Sequence, residues 1–216
     1  MPDWYPIFIK LKGKKVLVVG GGTVATRKVK KLINYYPEIT IVSPKITTEL
    51  QRLISKHNLK YSQRNYRKSD LKNKWIIFVA TDDKDLNKQI SQDAKKSGIL
   101  INVVDNPAYC SFIVPSVITR GDLQIAISTS GISPLLTKTL RKKIENLFGN
   151  EYITLLKLIK KYRKVILDKF KDNKIKRKKL EELLKPSILN KIKNGDIRQA
   201  ENELKKIIEE NKKTTP

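Results

Sequence analysis

The chain has one cysteine, one histidine and few aromatic residues, 7% of the total. The single thiol, Cys110, excludes an internal disulfide and any zinc or iron–sulfur centre built on clustered cysteines, and the lone histidine, His57, leaves no dedicated cage for a transition metal. Metal-dependent and thiol-based hydrolysis thereby lose most of their usual parts. No run of apolar residues approaches the roughly 18 to 20 needed to cross a bilayer. The opening MPDWYPIFIKLKGKK lacks the order of charged, apolar and small residues that marks a secretory signal. The expectation is a cytoplasmic protein without membrane contact.

Acidic side chains are scarce as well: 21 Asp and Glu stand against 46 Lys and Arg, a formal net charge of +25. Such a balance suits a polyanionic partner, nucleic acid first of all. The basic residues run through both halves of the chain instead of forming a tail, however. No helix-turn-helix spacing is visible, and there are too few aromatics to stack single strands. A solvated lysine-rich surface, or a small polyanionic ligand, accounts for the charge equally. A dinucleotide-sensing regulator that touches nucleic acid through basic helices is the alternative function.

What the sequence does contain is an alternation of strands and helices. KVLVV (15–19), ITIV (39–42), WIIFVA (75–80) and ILINVV (99–104) are short β-branched runs, separated by segments with helical apolar spacing such as Leu50, Leu53, Ile54 and Leu86, Ile90, Ala94. That order predicts an α/β fold with a parallel sheet of Rossmann type, covered on both faces. The rhythm changes at SFIVPSVITRGDLQIAISTS (111–130), which reads as a hairpin turning at Arg120-Gly121-Asp122. A helix follows, with Ser133 as N-cap, Pro134 in its first turn and Gly149 as its stop. A hairpin and one helix cannot bury their own apolar faces, so a homodimer through 113–148 is predicted. Beyond Asn150 the sequence is helical and lysine-rich, with apolar faces at Leu155, Leu158, Ile159 and Tyr162 and at Leu180, Leu183 and Leu184. The charge run KDNKIKRKK (171–179) reads as a solvated face. Trp4 and Tyr5 are expected to anchor the N-terminus to the sheet.

Gly20-Gly21-Gly22-Thr23-Val24-Ala25 lies between the first strand and first helix and carries the Gly-x-Gly-x-x-Ala pattern of dinucleotide-binding turns. Gly20 permits the turn, Gly22 lets backbone approach a pyrophosphate, and Ala25 lets the helix pack closely. The helix start favours negative charge. The second strand ends Val42-Ser43-Pro44-Lys45 without the usual ribose-binding carboxylate. Ser43 is a candidate ligand of a ribose hydroxyl and Lys45 of a phosphate, and this chemistry leaves NAD and NADP both open. Thr81 and Asp82 follow the third apolar run, at a strand carboxyl end where ligands of open α/β sheets gather.

Four stretches taken together, YPIFIKLKGKKVLVVGGGTVATRK, FVATDDKDLN, INVVDNPAYCSFIVPS and ISTSGISPLLTKTLRKKIE, resemble the precorrin-2 dehydrogenase family, the NAD-dependent module of siroheme synthases, over about residues 5–148. The resemblance implies oxidation of precorrin-2 to sirohydrochlorin with NAD as acceptor, and in some members insertion of ferrous iron as well. It implies nucleotide contacts at Thr23, Val24, Pro44 and Lys45, and a key aspartate at Asp105. In that role Asp105 leaves the last parallel strand toward the crevice, where one carboxylate takes a proton as hydride departs. The implied substrate is a tetrapyrrole carrying many carboxylates. Ser128, Thr129, Ser130, Gly131 and the helix start at Ser133 are the candidate donors for them. Some relatives have a phosphorylated serine where this chain has Thr129. On this reading residues 1–112 form the NAD-binding domain, 113–148 the dimerisation and substrate segment, and 149–216 a helical C-terminal domain, with no resident metal.

Overall fold

Valine and isoleucine dominate the strand runs because β-branched side chains fit a pleated surface buried on both sides. In the computed structural model, which describes residues 3–209, they form β1 (Lys15–Val19), β2 (Glu38–Val42), β4 (Ile76–Val79) and β5 (Leu100–Val103). A three-residue strand, β3 (Lys60–Ser62), completes the sheet at its edge. All pairings are parallel and the order is β3-β2-β1-β4-β5. The chain winds outward from β1 in one direction and from β4 in the other, so the topological switch lies between β1 and β4. This is the Rossmann-type arrangement, in which ligands gather outside the strand carboxyl ends.

Strand residues alternate between two cores. Val16, Val18, Ile39, Ile41, Ile76 and Phe78 pack under α1 (Thr23–Leu32) and α2 (Thr48–His57), which contribute Ala25, Val29, Leu32 and Leu50. Leu17, Val19, Ile77, Val79 and Ile101 pack on the other face, under Ile90 and Ala94 of α3 (Lys84–Lys96). Truncating a fully buried leucine or isoleucine of these cores, such as Leu17, Ile41 or Ile77, to alanine costs about 2 to 5 kcal/mol.

Between β3 and β4, Arg64 and Asp70 form a two-pronged ion pair at 2.6 and 2.9 Å, and Asp70 also accepts from the Arg67 N–H. Burial works against the Asp70 charge, but the Arg64 guanidinium and that backbone donor hold its carboxyl below the usual carboxylate range. A carboxyl depressed in the folded state adds stability above its unfolded pKa, and that stability is lost as pH falls through the folded value. Asp70→Asn should therefore lower unfolding free energy by about 1 to 2 kcal/mol at neutral pH. The gap to the unsubstituted protein should close below about pH 4, a crossover that chemical denaturation at two pH values measures.

The described chain divides into two compact units, one up to Val114 and one from Pro115 on, so the segments expected at 113–148 and 149–216 fall mostly together in the second. That unit opens with the hairpin β6 (Ser116–Arg120) and β7 (Leu123–Ile127), joined at Gly121 with φ +59°. It continues through α4 (Pro134–Glu145), α5 (Glu151–Lys169), α6 (Asn173–Glu182), α7 (Pro186–Lys193) and α8 (Ile197–Glu209). Leu155, Leu158, Tyr162, Ile166, Leu183, Ile188, Ile192 and Leu204 make its core. Among the described residues no helix is long and apolar enough to cross a membrane.

Four local expectations are corrected. Tyr5 is 87% exposed, so it does not anchor the N-terminus by burial. Helix α4 ends at Glu145 with Asn146 as its cap, before Gly149, where Leu147 and Phe148 N–H turn back to the Ile144 and Glu145 carbonyls three residues earlier, and the Phe148 carbonyl accepts from Arg120 Nε at 2.9 Å. Leu184 lies outside the apolar face of α6 and is largely exposed. Lys179, at the end of the charge run, is buried and donates to the Ile207 carbonyl on α8.

Candidate functional site

The glycine turn is shaped by what crowds it. A Cβ on Gly20, which has φ +115°, would lie 2.1 Å from the Ala80 carbonyl oxygen at the end of β4. One on Gly21 would lie 2.0 Å from the Lys45 carbonyl oxygen beyond β2. Both residues must be glycine for the turn to pass between the two strand ends. Gly22 differs: a Cβ there meets nothing within 4 Å. Stitching fixes the rest, since Thr47 N–H donates to the Gly21 carbonyl at 3.0 Å and Thr26 Oγ1 donates to the Gly22 carbonyl at 2.9 Å.

Helix α1 begins at this open point with no side-chain cap and no acidic residue in its first turn. The neighbouring helices are closed, α2 by the Thr47 hydroxyl and α3 by the Asp83 carboxylate. The N–H groups at the start of α1 thus face the space beside Gly22, with Thr23 exposed and Val24 half-buried. Open volume, free donors and the positive end of the helix dipole fit a dinucleotide pyrophosphate.

The strand ends around this turn hold the other expected residues. Pro44 and Lys45 are exposed beyond β2. Ser43 is only 7% exposed and donates its hydroxyl to the Lys45 carbonyl at 2.6 Å, so it shapes the Pro44–Lys45 backbone instead of presenting a free donor. Past β4, Thr81 Oγ1 donates to Asn87 Oδ1 at 2.6 Å while Asn87 Nδ2 returns a bond to the Thr81 carbonyl, and Asp82 is exposed.

Asp105 lies two residues beyond β5, exposed, in the left-handed conformation with φ +58°. Asp is among the few residues that tolerate this region, and such strain concentrates at functional positions. Val104 N–H still pairs with the Val79 carbonyl and Asn106 N–H turns back to the Val103 carbonyl, which fixes where the carboxylate emerges. The Gly20–Gly22 turn, Thr81, Asp82 and Asp105 therefore share the carboxyl edge of β1, β4 and β5.

Beneath Asp105 lies a polar cluster that pattern reading passed over. Asn102 on β5 is buried; its Oδ1 accepts from Lys28 Nζ of α1 at 3.3 Å, and its Nδ2 donates to the Phe112 carbonyl at 3.2 Å. Burial pushes the Lys28 ammonium below the usual lysine range, with Lys31 and Arg27 adding to that, while Cys110 and Asp105 oppose it. An amide inside the apolar run LINV is the signal that could have found the cluster, since asparagine is a poor strand former. Cys110 packs here, its thiol pushed up by burial.

The remaining expected residues lie in the second unit. Ser130 at φ +55° and Gly131 at φ +85° form a left-handed bend. Ser130 N–H donates to Ser128 Oγ, Ser133 N–H to Thr129 Oγ1, and Leu136 N–H to Ser133 Oγ. The backbone donors at Ser130 and Ser133 are thus committed inside the loop, and the start of α4 is already capped. What faces solvent is the pair of exposed residues Ser128 and Ser130 beside Gly131.

The chain is similar to known proteins along most of its length. The NAD(P)-binding family model matches residues 7–116, and the model for the central part of sirohaem biosynthesis proteins matches 120–147. A siroheme synthase of Photorhabdus laumondii is 35% identical over 209 residues, covering 97% of this chain and 44% of that protein. Another, of Psychrobacter cryohalolentis, is 42% identical over 161 residues, covering 74% and 30%. The chain therefore spans less than half the length of these curated relatives. The solved structure of SirC, a precorrin-2 dehydrogenase, superposes with a TM-score of 0.79 at 28% identity, covering 96% of this chain and all of that one. None of these similarities favours a nucleic-acid-binding regulator.

Proposed function

Because the chain belongs to the NAD(P)-binding family of siroheme synthases and precorrin-2 dehydrogenases, we propose that it oxidises precorrin-2 to sirohydrochlorin in the cytoplasm. When bound, NAD supplies the acceptor for the hydride that leaves the macrocycle. The rest is the work of this chain's residues. Donors at Thr23 and Val24, beside Gly22, receive the pyrophosphate, and the Pro44–Lys45 backbone held by Ser43 borders the adenosine side. Thr81 and Asp82 line the β4 end. Asp105 takes the proton released with the second hydrogen, so the macrocycle loses one hydride and one proton in all. The exposed Ser128 and Ser130 hydroxyls, with Thr129, Gly131 and Ser133 holding their loop, receive substrate carboxylates.

The observation that carries this reading is the position of Asp105, a carboxylate fixed in a left-handed bend on the same strand edge as an uncapped helix start. An anaerobic assay with precorrin-2 and NAD, followed by NADH absorbance, tests it. NADH formation matched by sirohydrochlorin is the expected result, and no NADH formation sinks the assignment. Repeating the assay from sirohydrochlorin with ferrous iron and without NAD measures metal insertion separately.

The second unit also bears on oligomeric state. Helix α4 has no buried residue, and Ile132, Leu135 and Leu147 are 87%, 75% and 66% exposed. Large apolar side chains exposed along one segment call for a covering surface, and a second copy of the hairpin and α4 has the matching composition. Sedimentation at micromolar concentration should give twice the 24.9 kDa chain mass. Leu135→Glu should shift the protein to monomer, because a carboxylate buried in an apolar interface costs several kcal/mol. A monomeric unsubstituted protein refutes the dimer.

A further inference from the structure

The Lys28–Asn102 cluster is costly where it stands. Helix α1 buries Ala25, Thr26, Val29 and Leu32, and the next position on that side carries an ammonium in place of another apolar group. It reaches across the face of Phe78, 5.6 Å from the ring centroid, to an amide buried on β5. Partly stripping water from a half-buried lysine for one neutral hydrogen bond opposes folding, and leucine or methionine at position 28 with valine at 102 would fill the same space at less expense. Groups that break the local rule next to a strained carboxylate are candidates for a functional constraint.

The connections run to the segment that bears Asp105. Asn102 Nδ2 lies 3.6 Å from Cys110 Sγ. That sulfur accepts from Val103 N–H at 3.2 Å and lies 3.3 Å from the Asn106 carbonyl. Val103 and Asn106 bracket the bend at Asp105. Asn102 Nδ2 also ties the far end of the segment through the Phe112 carbonyl.

We propose that Lys28 is a positioning residue for Asp105: through Asn102 and Cys110 it pins the 104–112 segment at both ends and sets a fixed positive charge behind the carboxylate. The proposal rests on the reading of Asp105 as the proton acceptor. Charged and titratable groups facing the ammonium are Arg27 and Lys31 from its own helix and the Asp105 carboxylate and Cys110 thiol from the segment after β5. Attraction to Asp105 is among the effects that keep Lys28 charged despite its burial.

Lys28→Met keeps most of the apolar stem, one atom shorter, and removes the donor and the charge, whereas Lys28→Arg retains both. In the precorrin-2 assay, Lys28→Met should lose kcat by about ten- to a hundredfold, the scale of a misplaced reacting group, with KM for NAD unchanged and thermal midpoint not lowered. Lys28→Arg should recover most of the loss. Amide hydrogen exchange across residues 104–112 should be faster in Lys28→Met and normal in Lys28→Arg. Wild-type kcat together with unchanged exchange overturns the proposal, and so does a fall in NAD affinity that accounts for the whole loss. Should Lys28→Met not fold, Asn102→Ser cuts the same link from its other end and is judged by the same readouts. An active wild type beside an unaffected Lys28→Met removes this proposal alone, while an inactive wild type removes the dehydrogenase reading as well.

Discussion

Replacing Asp105 by alanine is expected to reduce precorrin-2 oxidation by about a hundredfold or more, the usual contribution of a positioned proton acceptor, while NAD binding stays intact. The second half follows from placement. Asp105 is exposed and its side chain holds no hydrogen bond among the described residues, so removing it leaves the glycine turn and the sheet unaltered. Alanine carries one confounding effect, since at φ +58° it strains the backbone by about 1 to 2 kcal/mol. Asparagine tolerates that region and keeps the shape of the side chain, yet accepts no proton as a carboxylate does. Asp105→Asn should therefore be as inactive as Asp105→Ala, with NAD affinity by calorimetry equal to that of the unsubstituted protein. Near-normal turnover by the asparagine variant would falsify the role of the carboxylate.

What separates the two readouts also explains how much of the site could be seen in the residues alone. Strand periodicity and the glycine pattern depend on neighbours in the chain, so β1, β2, β4, β5 and the turn at Gly20–Gly22 were all legible, as was Ser133 as a cap. Strand β3, only Lys60–Ser62, carries too few residues at the sheet edge to show a pattern. The fate of Ser43 depends on tertiary path. Its hydroxyl turns to the Lys45 carbonyl two residues on, at the point where the Gly21 backbone comes against that oxygen, and no strand pattern marks this approach. The link from Lys28 to Asn102 spans 74 positions, beyond the reach of any periodicity. Its trace in the sequence was negative: an amide and a cation where the strand and helix patterns call for apolar groups.

The same distinction, between residues that build the turn and residues that leave room beside it, predicts opposite outcomes for adjacent glycines. Gly20→Ala places a methyl 2.1 Å from a backbone carbonyl at a left-handed φ, and neither partner is a flexible side chain that can swing away. That variant should lose stability severely, with NAD binding lost only as a consequence. Gly22 sits at the N-cap of α1 with φ −74°, a conformation open to any residue, and its missing side chain faces empty space. Asp in that position can accept from the first-turn N–H groups, as Asp83 does for α3, so Gly22→Asp should unfold at the same temperature or slightly higher. Yet its carboxylate takes the donors and the volume that a pyrophosphate needs and adds repulsion between like charges. NAD affinity should fall by at least about a hundredfold, or about 3 kcal/mol. Thermal unfolding and calorimetry on the one variant read both quantities. A Gly22→Asp protein that binds NAD as tightly as the unsubstituted chain would mean that the dinucleotide does not lie on this helix start, and the glycine turn would be left with a packing role alone.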